Sequence, residues 1–143
     1  MKNLTPKLYW AARIIASLIL LQTLYFKFSA SDESVYIFTT VGMEPWGRIT
    51  VGVLELIAAT LLLFNSTAWL GGIGGLGLMT GAIAMHLTLL GISVKGDGGY
   101  LFTLAVIVCV CSAFVMLQNR ERVLKMLVTV AKTVGIPSSR LTQ

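Results

Sequence analysis

Four apolar blocks, each about as long as a bilayer crossing, constrain this chain more than any other feature. They run from about residue 8 to 28, 46 to 64, 69 to 90 and 100 to 117. A hydrocarbon core of roughly 30 Å needs about 20 helical residues. Lipid offers backbone N–H and C=O groups no partners, so blocks of this kind form helices. Only 12% of the 143 residues are charged and mean hydropathy is +0.84, whereas a soluble domain carries about 25% charged residues. The expected fold is an all-α membrane protein, a four-transmembrane-helix bundle over residues 1–118 followed by a tail over 119–143. The first block is too long for a cleavable leader and lacks a small-residue cleavage site, so it reads as a retained span.

Charge placement sets the expected orientation, because Lys and Arg collect on the cytoplasmic flanks of membrane helices. The N-terminal flank has Lys2 and Lys7, and the tail has Arg120, Arg122, Lys125, Lys132 and Arg140. The first connection mixes Asp32, Glu33 and Glu44 with Lys27 and Arg48, and the last balances Lys95 against Asp97. Both connections are therefore expected outside, with both termini cytoplasmic. Aromatic residues agree: Tyr9, Trp10 and Trp69 fall at inner ends, and Tyr25, Trp46 and Tyr100 at outer ends, where half-wet rings prefer to lie. The net charge of +5 is thus a topology signal and needs no nucleic-acid partner.

The connections carry further expectations. Ser31 suits a helix cap, with Asp32 and Glu33 complementing the positive helix start. The run from Val35 to Val41 is too short to span, and Gly42 and Pro45 stop it. A short external interfacial helix is expected there, with an ordered loop as the alternative. Residues 65–68 form a tight hairpin. In the tail, Val123, Leu124, Leu127, Val128, Ala131 and Val134 line up beside Lys125 and Lys132. This amphipathic C-terminal pattern suits a helix on the anionic inner leaflet, or one docked on a partner. In the third span, Gly71 with Gly75 and Gly77 with Gly81 are spaced for close backbone approach, within the bundle or against a second copy.

Function is sought in the polar residues inside the spans, since an ionised group at mid-membrane costs roughly 2.5–3.5 kcal/mol and faces protein or water. Glu55 lies nine residues past Trp46, roughly 13 Å deep at 1.5 Å per residue. Gln22, Lys27, Arg48 and His86 fall in the same outer half, and Arg48 shares a helix face with Glu55. These five are the candidate ligand-binding residues. Each also has a plainer role: Lys27 and Arg48 as snorkelling cations, His86 as a packing residue, Glu55 as half of a structural pair. Arg13 stands apart near the inner surface.

Several chemistries are not supported. One histidine cannot supply two haem ligands. Cys109 and Cys111, two apart in a charge-free helix, point to opposite sides and read as small buried hydrophobes. No ligand cluster suits zinc, and no catalytic residues or cofactor-binding motif stand out. Asn65-Ser66-Thr67 is a glycosylation sequon, but it lies in the expected cytoplasmic hairpin.

Arg13 early in the first span, Lys27 closing it, Gly42-Met43-Glu44-Pro45 ending the external helix, Gly52-x-x-Glu55 and a late His86 together resemble the DoxX-like family of small four-helix membrane proteins. The resemblance covers about residues 8–118 and departs at Leu24, where a glycine is expected. It implies a bacterial inner-membrane protein, with Lys27, Glu55 and His86 as the positions to carry over. It also implies a role as an accessory or quinone-facing subunit of a membrane oxidoreductase, with a redox partner protein and quinone as the associated cofactor. The alternative is a noncatalytic small-molecule or lipid-binding, transport-like module acting as a homo-oligomer.

Overall fold

The computed structural model describes residues 4–134. Within them all regular secondary structure is helical, with no strand: α1 (Leu4–Phe28), α2 (Asp32–Thr40), α3 (Trp46–Leu63), α4 (Ala68–Met85), α5 (Tyr100–Gln118) and α6 (Arg120–Thr133). A π-helical turn, His86–Leu90, extends α4. Four helices are long and apolar enough to cross a membrane, Pro6–Phe28, Trp46–Leu63, Ala68–Leu90 and Tyr100–Gln118. These lie within two residues of the apolar blocks read from the sequence. Lys2 and Arg140, part of the charge argument, fall outside the described residues.

The elements begin and end for local reasons. Ser31 caps α2, its hydroxyl accepting from the Ser34 N–H at 3.3 Å, with Asp32 and Glu33 in the first turn. Gly42 takes φ +76°, a left-handed turn open to glycine, and separates α2 from α3. The α3–α4 hairpin is closed by the Thr67 hydroxyl donating to the Leu61 carbonyl at 3.0 Å. Loop 91–99 folds around one side chain: the Asp97 carboxylate accepts from the N–H groups of Val94, Gly99 and Leu101 at 2.8, 2.9 and 2.9 Å. Burial alone would raise the Asp97 pKa. The donors Leu101, Gly99 and Val94, with the Ser93 hydroxyl, outweigh it and hold the carboxyl below its ordinary 3.8.

Packing is inside-out relative to a water-soluble protein. α1 packs on α3 and α5, and α4 packs on the same two, giving the cyclic order α1, α3, α4, α5. The buried residues are mostly small, among them Ala12, Ala16, Ser17, Ala58, Ala59, Ala105 and Ser112, while Leu18, Val110 and Leu117 are more than 60% exposed. Large apolar side chains belong outside when the surroundings are lipid, and small ones let helices meet. Glycine carries this furthest on α4. A Cβ on Gly71 would sit 2.6 Å from the Leu62 nitrogen of α3, and one on Gly75 would sit 2.5 Å from the Ser112 hydroxyl of α5.

Two expectations need correction. Gly77 and Gly81 have open space where a Cβ would go, so helical spacing alone did not mark the contact face; that face holds Gly71, Gly72 and Gly75. Cys109 and Cys111 are half-buried rather than buried. In α6 and its C-cap, Leu124, Leu127, Val130 and Val134 expose an apolar face beside the basic residues, and Ala131 is buried.

Candidate functional site

Glu55 sits on α3 where α1 comes close, because Gly52 one turn earlier has no side chain. A Cβ there would lie 3.1 Å from the Phe28 ring and 3.6 Å from the Lys27 Cβ. Across this gap the Lys27 ammonium pairs with Glu55 Oε2 at 2.9 Å. Glu55 is almost sealed, its side chain 3% exposed against 14% for Lys27. The Thr23 hydroxyl, one turn before Lys27, lies 3.1 Å from the same oxygen and 2.8 Å from the Leu20 carbonyl.

A second pair joins the first. Arg48 meets Glu44 with Nε 2.9 Å from both carboxylate oxygens and Nη2 2.7 Å from Oε1. Its Nη1 donates to the main-chain carbonyl of Lys27. The result is a chain of groups running Glu44, Arg48, Lys27, Glu55, Thr23. Two acids meet two bases, so the group is neutral as a whole. Buried charges are tolerated when each is paired and further hydrogen bonds satisfy the remaining donors and acceptors.

The five candidate residues therefore do not form one cluster. Arg48 turns from Glu55 to Glu44, its neighbour at four residues, and Lys27 takes the Glu55 carboxylate. Gln22 points elsewhere, its amide donating to the Tyr100 hydroxyl at 3.1 Å. His86 Nδ1 lies 2.8 Å from the Gly91 carbonyl, and its ring meets Phe102 edge-on at 5.6 Å. The π-helical turn accounts for this, since it brings Gly91 back over His86.

Sequence reasoning missed Thr23, whose signal was its place one turn before Lys27. It also counted Glu44 only as a loop charge, although its four-residue spacing from Arg48 marks a pair. The largest omission is Arg13, which is fully buried. Its Nε donates to the Leu62 carbonyl at 2.6 Å and its Nη1 to Asn65 Oδ1. The rings of Tyr9 and Trp10 flank it at 5.2 and 4.4 Å. No carboxylate pairs with it among the described residues, and its Nη2 has no partner.

Among the described residues no three His, Cys, Asp or Glu side chains gather as a metal site would require. No family model matches the chain, and no curated protein or solved structure matches it.

Proposed function

We propose that the chain is an integral protein of a bacterial inner membrane, a four-transmembrane-helix bundle of the DoxX-like kind with both termini cytoplasmic. In this reading α2 lies on the external face, α6 rests on the inner leaflet, and the protein is an accessory, quinone-facing subunit of a membrane oxidoreductase. The observation that carries it is the Lys27–Glu55 pair, 2.9 Å apart, whose lysine keeps some exposure while its acid does not. An ammonium has three donors. Glu55 uses one, leaving others for a quinone carbonyl or an acidic headgroup arriving beneath α2. The chain's part is to orient that group; electron transfer belongs to the partner.

Purification in mild detergent tests this: a copurifying flavoprotein or quinone is expected, and Glu55→Gln should fold normally yet lose it. A homo-oligomer carrying neither would favour the second reading, a noncatalytic lipid or small-molecule binding module. The apolar groove of about 280 Å³ between α3 and α4, lined by Leu54, Ile57, Leu61, Leu70 and Ile73, speaks for that reading. Reporter fusions at residues 3 and 140 should both report the cytoplasm; an external signal from either would overturn the orientation.

A further inference from the structure

The polar cleft at the hairpin end of the molecule is independent of the Lys27–Glu55 reading. It is an open surface cleft of about 410 Å³ lined by Pro6, Tyr9, Asn65, Gln118, Asn119 and Arg122. Those residues come from α1, the α3–α4 hairpin, the end of α5 and the start of α6. Among the described residues no acidic side chain lines it, and the one charged residue there is the cation Arg122.

The hydrogen bonds around the cleft leave free donors at Asn65 and Tyr9. Asn65 Oδ1 is taken by Arg13, so the two N–H groups of the Asn65 amide are left for the cleft. The Tyr9 oxygen accepts from Asn119 Nδ2 at 2.9 Å, so its own proton is free to be donated. Arg122 is held loosely, its Nη1 3.4 Å from the carbonyls of Asn65 and Ser66. Behind this wall lies the buried Arg13 guanidinium. It touches the two lining residues Tyr9 and Asn65, has an unpartnered Nη2, and lacks a counter-ion among the described residues.

A buried cation with no acid partner among the described residues, a second cation at the surface and the free donors of Asn65 and Tyr9 together favour an anion. We propose that this cleft binds an anionic phosphate group. A tetrahedral phosphate oxyanion accepts from several directions at once, which suits the donors that Tyr9, Asn65 and Arg122 contribute to the lining, and guanidinium forks suit it best. Arg13 acts as a positioning residue, fixing the Asn65 amide and supplying unscreened positive charge. The phosphate has two sources, the headgroup of an anionic lipid or the free ion.

Native mass spectrometry of the full chain in detergent, with phosphatidylglycerol or phosphatidylcholine added, tests the site. One phosphatidylglycerol per chain should be retained in preference to phosphatidylcholine. Arg122→Ala should weaken retention by about tenfold or more, the usual loss of a charged hydrogen bond. Arg122→Gln should do the same and covers failure of the first variant to fold. Lys95→Gln, exposed in the loop between α4 and α5 and remote from the cleft, should leave retention unchanged. Inorganic phosphate, compared with chloride at matched ionic strength, separates the sources. If it raises the melting temperature and displaces the lipid, the free ion is a ligand; if only phosphatidylglycerol binds, the headgroup is. Equal retention of the two lipids with no effect of inorganic phosphate overturns the proposal. So does retention by folded Arg122 variants equal to that of the parent.

Discussion

The two ends of the molecule handle buried charge in opposite ways. Near α2, Lys27 and Arg48 each meet an acid of the same chain, at 2.9 and 2.7 Å. At the hairpin, Arg13 is more deeply buried than either and meets only carbonyls and aromatic rings. The first end is electrically complete and the second is not. A charge in low dielectric is stabilised by a nearby opposite charge far more than by neutral dipoles. The contrast therefore marks where the fold closes on itself and where it leaves an opening for something else.

Mutation can break this comparison, and the largest effect is expected at the complete end. Glu55→Ala should lower stability in detergent by about 3–5 kcal/mol, because it strands the Lys27 ammonium. The double variant Lys27→Met, Glu55→Leu should recover most of that loss. Chemical unfolding of both variants checks the claim, and a Glu55→Ala loss under about 1 kcal/mol would refute the pairing as a source of stability. Next comes the helix contact between the ends: Gly75→Leu should cost about 1–3 kcal/mol by overpacking against Ser112. Gly77→Leu should cost nothing measurable, since open space surrounds it, and equal losses would contradict the packing face.

At the incomplete end the expected effects are smaller. Asn65→Ala removes the Oδ1 partner of Arg13 and should cost about 1–3 kcal/mol, the usual result of leaving a buried donor unsatisfied. The parent's melting temperature should rise when phosphatidylglycerol replaces phosphatidylcholine, and that rise should shrink in Asn65→Ala. An unchanged rise would show that the lipid acts elsewhere.

Much of this architecture was legible in the sequence, for a physical reason. Apolar block length and breakers such as Gly42 and Pro45 are local signals, and each fell close to an observed helix end. Partner choice was not local. Arg48 and Glu55 share a helix face, yet whether Arg48 turns to Glu55 or to Glu44 depends on α1 delivering Lys27 into the gap over Gly52. The glycines posed the same problem. Gly71, Gly75, Gly77 and Gly81 repeat every four residues in part, and only the positions of α3 and α5 separate contact from open space. Arg13 read as an interfacial cation because it lies near the chain start; its partners Leu62 and Asn65 lie 49 and 52 residues away.

The smallest expected effect concerns pH and the loop around Asp97. Its folded pKa is lowered below 3.8, so ionised Asp97 stabilises the loop above the unfolded value. That stabilisation is lost as pH falls through the lower folded value. The protection of the Val94, Gly99 and Leu101 amides, taken relative to their intrinsic exchange rates at each pH, should therefore hold at neutral pH and be lost only below about pH 4. Asp97→Asn should give fast exchange already at neutral pH; slow exchange in that variant would show that the carboxylate is not what orders the loop.

The three backbone bonds to Asp97 also decide where the molecule can be given a handle. An epitope tag inserted beside Asp97 would pull that carboxylate away from its donors and report on a loop it had itself unravelled. Lys95 offers a safer place: it is exposed, and its main chain donates no hydrogen bond to Asp97. A single cysteine there, reacted with a membrane-impermeant reagent in intact cells, reads the sidedness of the loop with its three clasps left in place.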